Sequence, residues 1–258
     1  MSYSEAVAWQ ARLRKRLRAD VPLKLVRLRL VAGADVAYEP ERTRRSPSGG
    51  QPAARFVAAV VVMSLPRLEI VETATASAET SFPYIPGLLS FREGPALDRA
   101  FARLKHRPEV VLFDGQGVAH PRGLGLAAHL GILLGCPSVG CAKSRLYGQM
   151  AGELGRRRGS RQPLLAPREA RPQRKGCATA SPSPFQPGER IGTVLRTRDG
   201  VKPVWVSCGH LIDLPSAERL VLLVSRGYRL PEPIRAAHKI VNAALRRLTL
   251  RPYAGLRD

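Results

Sequence analysis

Acidic residues are scarce in this chain of 258 residues: 20 Asp and Glu stand against 42 Lys and Arg, giving a net charge of +22 and a pI near 11.2. A surface this basic is far from what solubility requires and points to a polyanionic partner, nucleic acid first. Also missing is any apolar run of about 18 residues, so no membrane-spanning helix and no membrane partner are expected. The opening stretch, MSYSEAVAWQARLRKRLRAD, lacks the apolar core of a signal peptide. The cysteines, at positions 136, 141, 177 and 208, form no C-x-x-C pair and have no histidine at zinc-ligand spacing. Buried free thiols in a reducing, cytoplasmic compartment are therefore expected.

Among so few acids, three stand out. Asp35 in VAGADVAY and Asp114 in VVLFDGQGVAHPRG each end an apolar run of strand character, and Glu93 closes PYIPGLLSFRE. An unpaired ionised carboxylate is costly at the end of such a run, so each needs compensation. In a basic protein the simplest compensator is a hard divalent cation shared between carboxylates, with a phosphodiester as the other ligand. This pattern predicts a metal-dependent nuclease. Asp before Gly is also a common turn signal, so taken singly each aspartate stays open to a structural role.

The chain reads as one α/β domain. Ser2 and Glu5 suit a capping box, and Trp9, Leu13 and Leu17 recur at helical spacing, predicting an amphipathic first helix with a basic outer face. Alternation over Leu28, Leu30 and Ala32 predicts a strand running into Asp35, then a Pro-, Ser- and Gly-rich loop over 39–52. Strands at 56–63 and 68–76 form a hairpin and complete a meander. After Glu93, Pro95 suits a first helical turn, with Leu97, Phe101 and Leu104 as the buried stripe. Residues 110–113 form a short strand buried on both faces that delivers Asp114 to its end. A small-residue helix over 123–135 and a strand over 138–142 then imply a parallel crossover. Repeated proline and low apolar content predict a mobile basic loop over about 151–187. Order returns with strands at 191–197 and 204–207 and a closing helix over 233–248. The predicted architecture is a mixed sheet, an antiparallel meander extended by parallel strands, flanked by helices.

The words GADVAY, PYIPGLLSFRE, VLFDGQGVAHPRGLGLAAHLG, VGCAKSRL, GVKPVWVSCGHLID and GYRLPEPIRAAH, in this order and over most of the chain, resemble the endonuclease V family of deoxyinosine 3'-endonucleases. The resemblance implies an RNase H-like fold and Mg²⁺ as cofactor, with Mn²⁺ able to substitute. It further implies a monomer that starts repair of deaminated DNA by nicking the second phosphodiester bond 3' to deoxyinosine, leaving 3'-hydroxyl and 5'-phosphate. Matched residue by residue, Asp35 and Asp114 correspond to the family's metal-binding aspartates and Glu93 to its third catalytic carboxylate. His210 matches its active-site histidine, there to hold the attacking water or a second metal. His120 and Lys143 match positions near the substrate phosphates. Pro83, Tyr84, Ile85 and Pro86 match the family's wedge, whose aromatic ring fills the gap left by an extruded base. Gly87, Leu88, Gly115, Gln116 and Gly117 are the expected walls of a tight base pocket.

Cys208 and Ile234 depart from the family pattern, where proline and threonine are common. A basic Pro-rich stretch at 166–187 looks like an insertion able to add non-specific affinity for DNA or RNA. Two alternatives share these features. An endoribonuclease cutting beside inosine in RNA would use the same residues, whereas a non-catalytic nucleic-acid-binding protein with this fold would not need the three carboxylates.

Overall fold

Side chains of β1 (Leu30–Tyr38) alternate between two apolar cores, Val31 in one and Ala32 and Ala34 in the other, as the two-residue period of a strand requires. This strand lies inside the nine-stranded sheet of a computed structural model that describes residues 1–39, 54–168 and 183–249. On one side of it β2 (Ala54–Ser64) and β3 (Ile70–Thr80) pair antiparallel. On the other side β4 (Val110–Phe113) and β5 (Ser138–Ala142) continue in parallel. Four more strands follow antiparallel: β6 (Gln149–Met150), β7 (Arg161–Leu165), β8 (Arg190–Leu195) and β9 (Val204–Cys208), in spatial order β3-β2-β1-β4-β5-β9-β8-β7-β6.

Helices cover both faces. α2 (Leu89–Phe101) and α3 (Leu126–Leu134) bury Leu97, Ala100 and Leu130 against Phe113 and Val111. α4 (Leu214–Leu223) and α5 (Glu232–Thr249) bury Leu220 and Ile234 against Val110 and Leu112. β4 is buried throughout, as a central parallel strand should be. α1 (Tyr3–Arg14) carries the expected capping box and packs on α3 through Leu13. Its buried face is Ala6, Gln10 and Leu13, so a polar side chain takes a core position while Trp9 is partly exposed.

Several boundaries differ from those the sequence predicts. β1 begins at Leu30, after a 3₁₀ turn at Leu25–Arg27, and runs through Asp35 to Tyr38 because β2 pairs with its whole length, Tyr38 lying opposite Phe56. Asp35 is thus a mid-strand residue. Leu68, at φ 62°, belongs to the turn before β3. α2 starts at Leu89, so Glu93 sits within it and Pro95 is interior rather than in the first turn. A proline there removes one helical hydrogen bond, at a cost of about 3 kcal/mol, and burial of Ala96, Leu97 and Ala100 offsets it. α3 starts at Leu126, with Gly125 as its N-cap. The predicted loop over 151–187 contains β7, whose ladder to β8 and buried Leu164 override its polar composition. Residues 40–53 and 169–182 of the two predicted loops, with Cys177, lie outside the described residues. Cys136, Cys141 and Cys208 are buried free thiols. No helix among the described residues is long and apolar enough to cross a membrane.

Gly33 sets how α5 lies on β1. A Cβ at this position would come within 2.0 Å of the Pro233 carbonyl carbon, so only glycine lets the start of α5 approach so closely. From this crossing, two strand residues to Asp35 span about 7 Å, as do the five helical residues to His238. The helix therefore carries His238 onto Asp35. Gly33→Ala should push α5 outward and destabilise the protein by about 1–3 kcal/mol, read as a lower urea midpoint than wild type; an unchanged midpoint would contradict this packing.

Candidate active site

Parallel pairing of β1 with β4 sets Ala34 opposite Phe113, so Asp35 and Asp114 follow side by side, and the Asp114 N–H donates to the Ala34 carbonyl at 3.1 Å. Asp35 is buried, its Oδ1 accepting the Val36 N–H at 2.9 Å and its Oδ2 facing His238 Nδ1 at 2.6 Å. Lys143, just past β5, forms an ion pair with Asp114 Oδ2. One ligand atom from each of Asp35, Asp114 and His238 lies within 4.8 Å of the others. Burial, and then the Asp114 charge, raise the Asp35 carboxyl above the usual range, while His238, Lys143 and the Val36 N–H oppose the rise. Glu93 enters from α2. Burial, then Asp35 and Asp114, push it up to about 8, with Arg92 opposing. Two carboxylates and an imidazole this close, with Glu93 near enough to feel both acids, form a set suited to a hard divalent cation.

A cleft of about 350 Å³ opens beside this cluster, lined by Tyr84, Gly87, Asp114, Gln116, His120 and Lys143 among others. That volume is at the small end for a ligand site. Tyr84 is 68% exposed, with the Arg92 guanidinium 5.9 Å from its ring. His120 is buried and neutral, its pKa lowered to about 3 by burial and then by the Arg122 charge; its Nδ1 accepts the Arg122 N–H at 3.1 Å. The base of the Tyr84 loop is clamped. The Gly87 carbonyl accepts from Gln10 Nε2 at 3.0 Å and from Arg122 at 2.6 Å, and Arg122 Nε donates to Gln10 Oε1 at 2.6 Å.

The cleft thus gathers Tyr84, Ile85, Pro86, Gly87, Gly115, Gln116, His120 and Lys143 from the residues that the sequence singles out. Three others stand elsewhere. Pro83 lines a neighbouring apolar cleft with Phe82 and Phe91. Leu88 is fully buried as the residue preceding α2. Gly117 lies behind the wall, donating its N–H to Ser207 Oγ.

His210 does not join the carboxylates. It follows β9, donates its N–H to Ser138 Oγ at 2.8 Å, and accepts the Arg18 N–H on Nδ1 at 3.2 Å. Ser138 is level with Val111, three residues before Asp114, so these bonds hold His210 toward the other end of the sheet. The histidine at the carboxylates is His238. Its signal in the sequence is the spacing of Ile234, His238 and Val241, which puts one ionisable residue on the apolar stripe of α5. Gln10 and Arg122 carry no such signal, because their partner is a backbone carbonyl far away in the chain.

A sequence profile described as endonuclease V matches residues 11–239. The chain belongs to the endonuclease V family. Endonuclease V of Myxococcus xanthus is 45% identical over 243 residues, covering 94% of this chain and 89% of that protein. The crystal structure of endonuclease V from Streptomyces avermitilis is 39% identical, with a TM-score of 0.79 and coverage of 96% of this chain and 95% of that one. Endonuclease V of Ciona intestinalis, solved in complex with a 24mer DNA containing an inosine followed by a ribo-adenosine, is 25% identical with a TM-score of 0.73, covering 95% and 98%. The mixed sheet flanked by helices is accordingly RNase H-like, and the chain is a nuclease, a hydrolase acting on DNA. Endonuclease V enzymes are generally metal-dependent, and this chain carries an acidic group with a histidine able to hold a metal.

The raised pKa of Glu93 has a consequence for stability. Unfolded, this carboxyl ionises near its ordinary value of 4.5; folded, it keeps its proton until about 8. Its contribution therefore turns unfavourable as pH rises through that window and is absent below it. In metal-free buffer Glu93→Gln should be more stable than wild type at pH 8 by roughly 1–4 kcal/mol, the upper end being the full shift. The two should converge at pH 4.5. Thermal unfolding of both proteins across this range checks it, and a pH-independent difference would contradict the assignment.

Proposed function

We propose that this chain is a divalent-metal-dependent endonuclease that recognises deoxyinosine in DNA and nicks the second phosphodiester bond 3' to it, leaving 3'-hydroxyl and 5'-phosphate. One observation carries the reading: Asp114 and Gln116 are two residues apart and line the same cleft, so base recognition and phosphodiester chemistry share one loop. The inosine-containing DNA bound by the Ciona intestinalis relative supports the choice of lesion.

Gln116 supplies a basis for selectivity. It is 8% exposed, and its Nε2 donates to the Ser144 carbonyl at 2.9 Å, which fixes the amide orientation. Its Oε1 is buried and without a partner among the described residues. A buried acceptor left in this state favours a ligand that donates to it. Hypoxanthine carries a hydrogen on N1 where adenine has a lone pair, so this oxygen accepts from the deaminated base and repels the normal one. Tyr84, exposed at the cleft mouth, fills the vacated stack, and the Gln10–Arg122 clamp holds the loop that bears it.

Asp35 and Asp114, with Glu93 and His238 beside them, would hold Mg²⁺, for which Mn²⁺ would substitute. Held there, it would supply activation of the attacking water and stabilisation of the leaving oxygen. Lys143 neutralises Asp114 and offers its remaining donors to the substrate phosphate. His238 fixes the Asp35 carboxylate in place, and neutral His120 braces the cleft wall by accepting the Arg122 N–H. Glu93, beside both aspartates, completes the metal shell or orients the attacking water.

Asp114→Asn should bind a duplex with one deoxyinosine while losing its nicking by several orders of magnitude. Mapping the wild-type cut to the nucleotide, on inosine-containing DNA and RNA strands in parallel, tests the substrate and the position. Nicking by Asp114→Asn at the wild-type rate would remove the site assignment. Gln116→Ala should lower the single-turnover rate on deoxyinosine about 10- to 100-fold, the worth of one buried hydrogen bond, and narrow the ratio over deoxyadenosine. A variant with an unchanged ratio would exclude Gln116 from base reading.

A further inference from the structure

Tyr228 leaves a large ring about half in solvent, 49% exposed, and belongs to none of the apolar clusters of the described residues. The ring is nonetheless held. The Arg235 guanidinium lies over it, 3.9 Å from the centroid. Arg235 is fixed in turn, its Nε and Nη2 donating to Glu232 Oε2 at 3.0 and 2.7 Å. An aromatic ring backed by an immobilised cation is ordered at little further entropic cost and keeps a π-face for another flat group.

The residues around Tyr228 are anchored to the metal-ligating group. Arg235 precedes His238 by three residues on α5, so the two share a helix face with a rise of about 4.5 Å between them. Arg229, next to Tyr228 in the chain, sends its guanidinium to the carbonyls of Lys143 and Pro203. These contacts set Tyr228 beyond Lys143 and His238 as seen from the carboxylates, on the side of the sheet that carries α5. The base-sized cleft opens on the other side, against the start of α3. A strand with its lesion in that cleft and its backbone over Asp35 and Asp114 emerges toward Tyr228. Arg235, Lys143 and Lys239 add positive charge along this exit, and Glu232 is already paired with Arg235.

We propose that Tyr228, backed by Arg235, is a stacking subsite for a nucleobase of the substrate strand on the 3' side of the scissile bond. This inference rests on the nuclease reading above and adds a recognition element beyond the lesion itself. Stacking on a single ring is indifferent to base identity, so the subsite adds affinity and fixes strand direction without adding sequence preference.

The test is an equilibrium binding titration in EDTA, using a fluorescent single strand with one deoxyinosine, for wild type and Tyr228→Ala, →Leu and →Phe. Ala and Leu should weaken binding about tenfold, within the range for loss of one base–aromatic stack, and Phe should bind as wild type does. Replacing nucleotides 3' to the cut one at a time with an abasic analogue should reveal one position that weakens wild type equally and adds nothing to the Ala variant, the signature of a shared interaction. Equal binding by Tyr228→Ala, retention of affinity by Leu, or a loss that adds to that of every abasic position would overturn the proposal. Because binding is read without cutting, a wild type that binds but does not nick would count against the proposed activity and leave the subsite result standing.

Discussion

Ala34 lies opposite Phe113 in the parallel pair of β1 and β4, and the cleft depends on this register. A slip of one residue would part Asp35 from Asp114 and turn the side chains of β4 to the wrong cores. Apolar packing on both faces enforces the register, Val110 and Leu112 toward α4 and α5, Val111 and Phe113 toward α2 and α3. The carboxylates thus meet because the hydrophobic residues preceding them have only one way to be buried. The close contact at Gly33 adds α5 to the same frame and brings His238 to Asp35.

Charge is arranged on two scales. The chain as a whole is strongly cationic, yet its centre concentrates three carboxylates, and burial, then the charges of Asp35 and Asp114, push the Glu93 pKa up to about 8. A long polyanion is drawn to the surface, while the small acidic spot favours a hard cation there. Lys143 borders the spot, and its ion pair with Asp114 offsets part of the negative charge that a phosphate would meet.

Asp114 and Gln116 stand on the same short loop after β4, while the loop carrying Tyr84 is tied to it by the Gln10 and Arg122 bonds to the Gly87 carbonyl. These contacts join α1, the Tyr84 loop and the segment before α3 into one unit. Beyond the carboxylates, Arg229 and Arg235 extend the ordered surface to Tyr228.

Much of this was legible in the chain. The strands of the meander, the buried character of β4, the three acids and the Pro-Tyr-Ile-Pro segment are local signals, written in alternation, apolar runs and contiguous motifs, and the family words placed them in one protein. The misreadings share a cause: a local pattern was outweighed by a distant partner. β7 forms from a polar, proline-containing segment because β8 pairs with it; β1 continues past Asp35 because β2 does. His210 carries a local motif yet is bound to Ser138 and Arg18, whereas His238, less conspicuous in sequence, is delivered by the crossing of α5 at Gly33. Residue types and short-range periodicity determine which chemistry the chain can perform. Which of those residues meet was decided by long-range packing, because hydrogen-bond partners and helix crossings join segments hundreds of positions apart, and no local pattern encodes them.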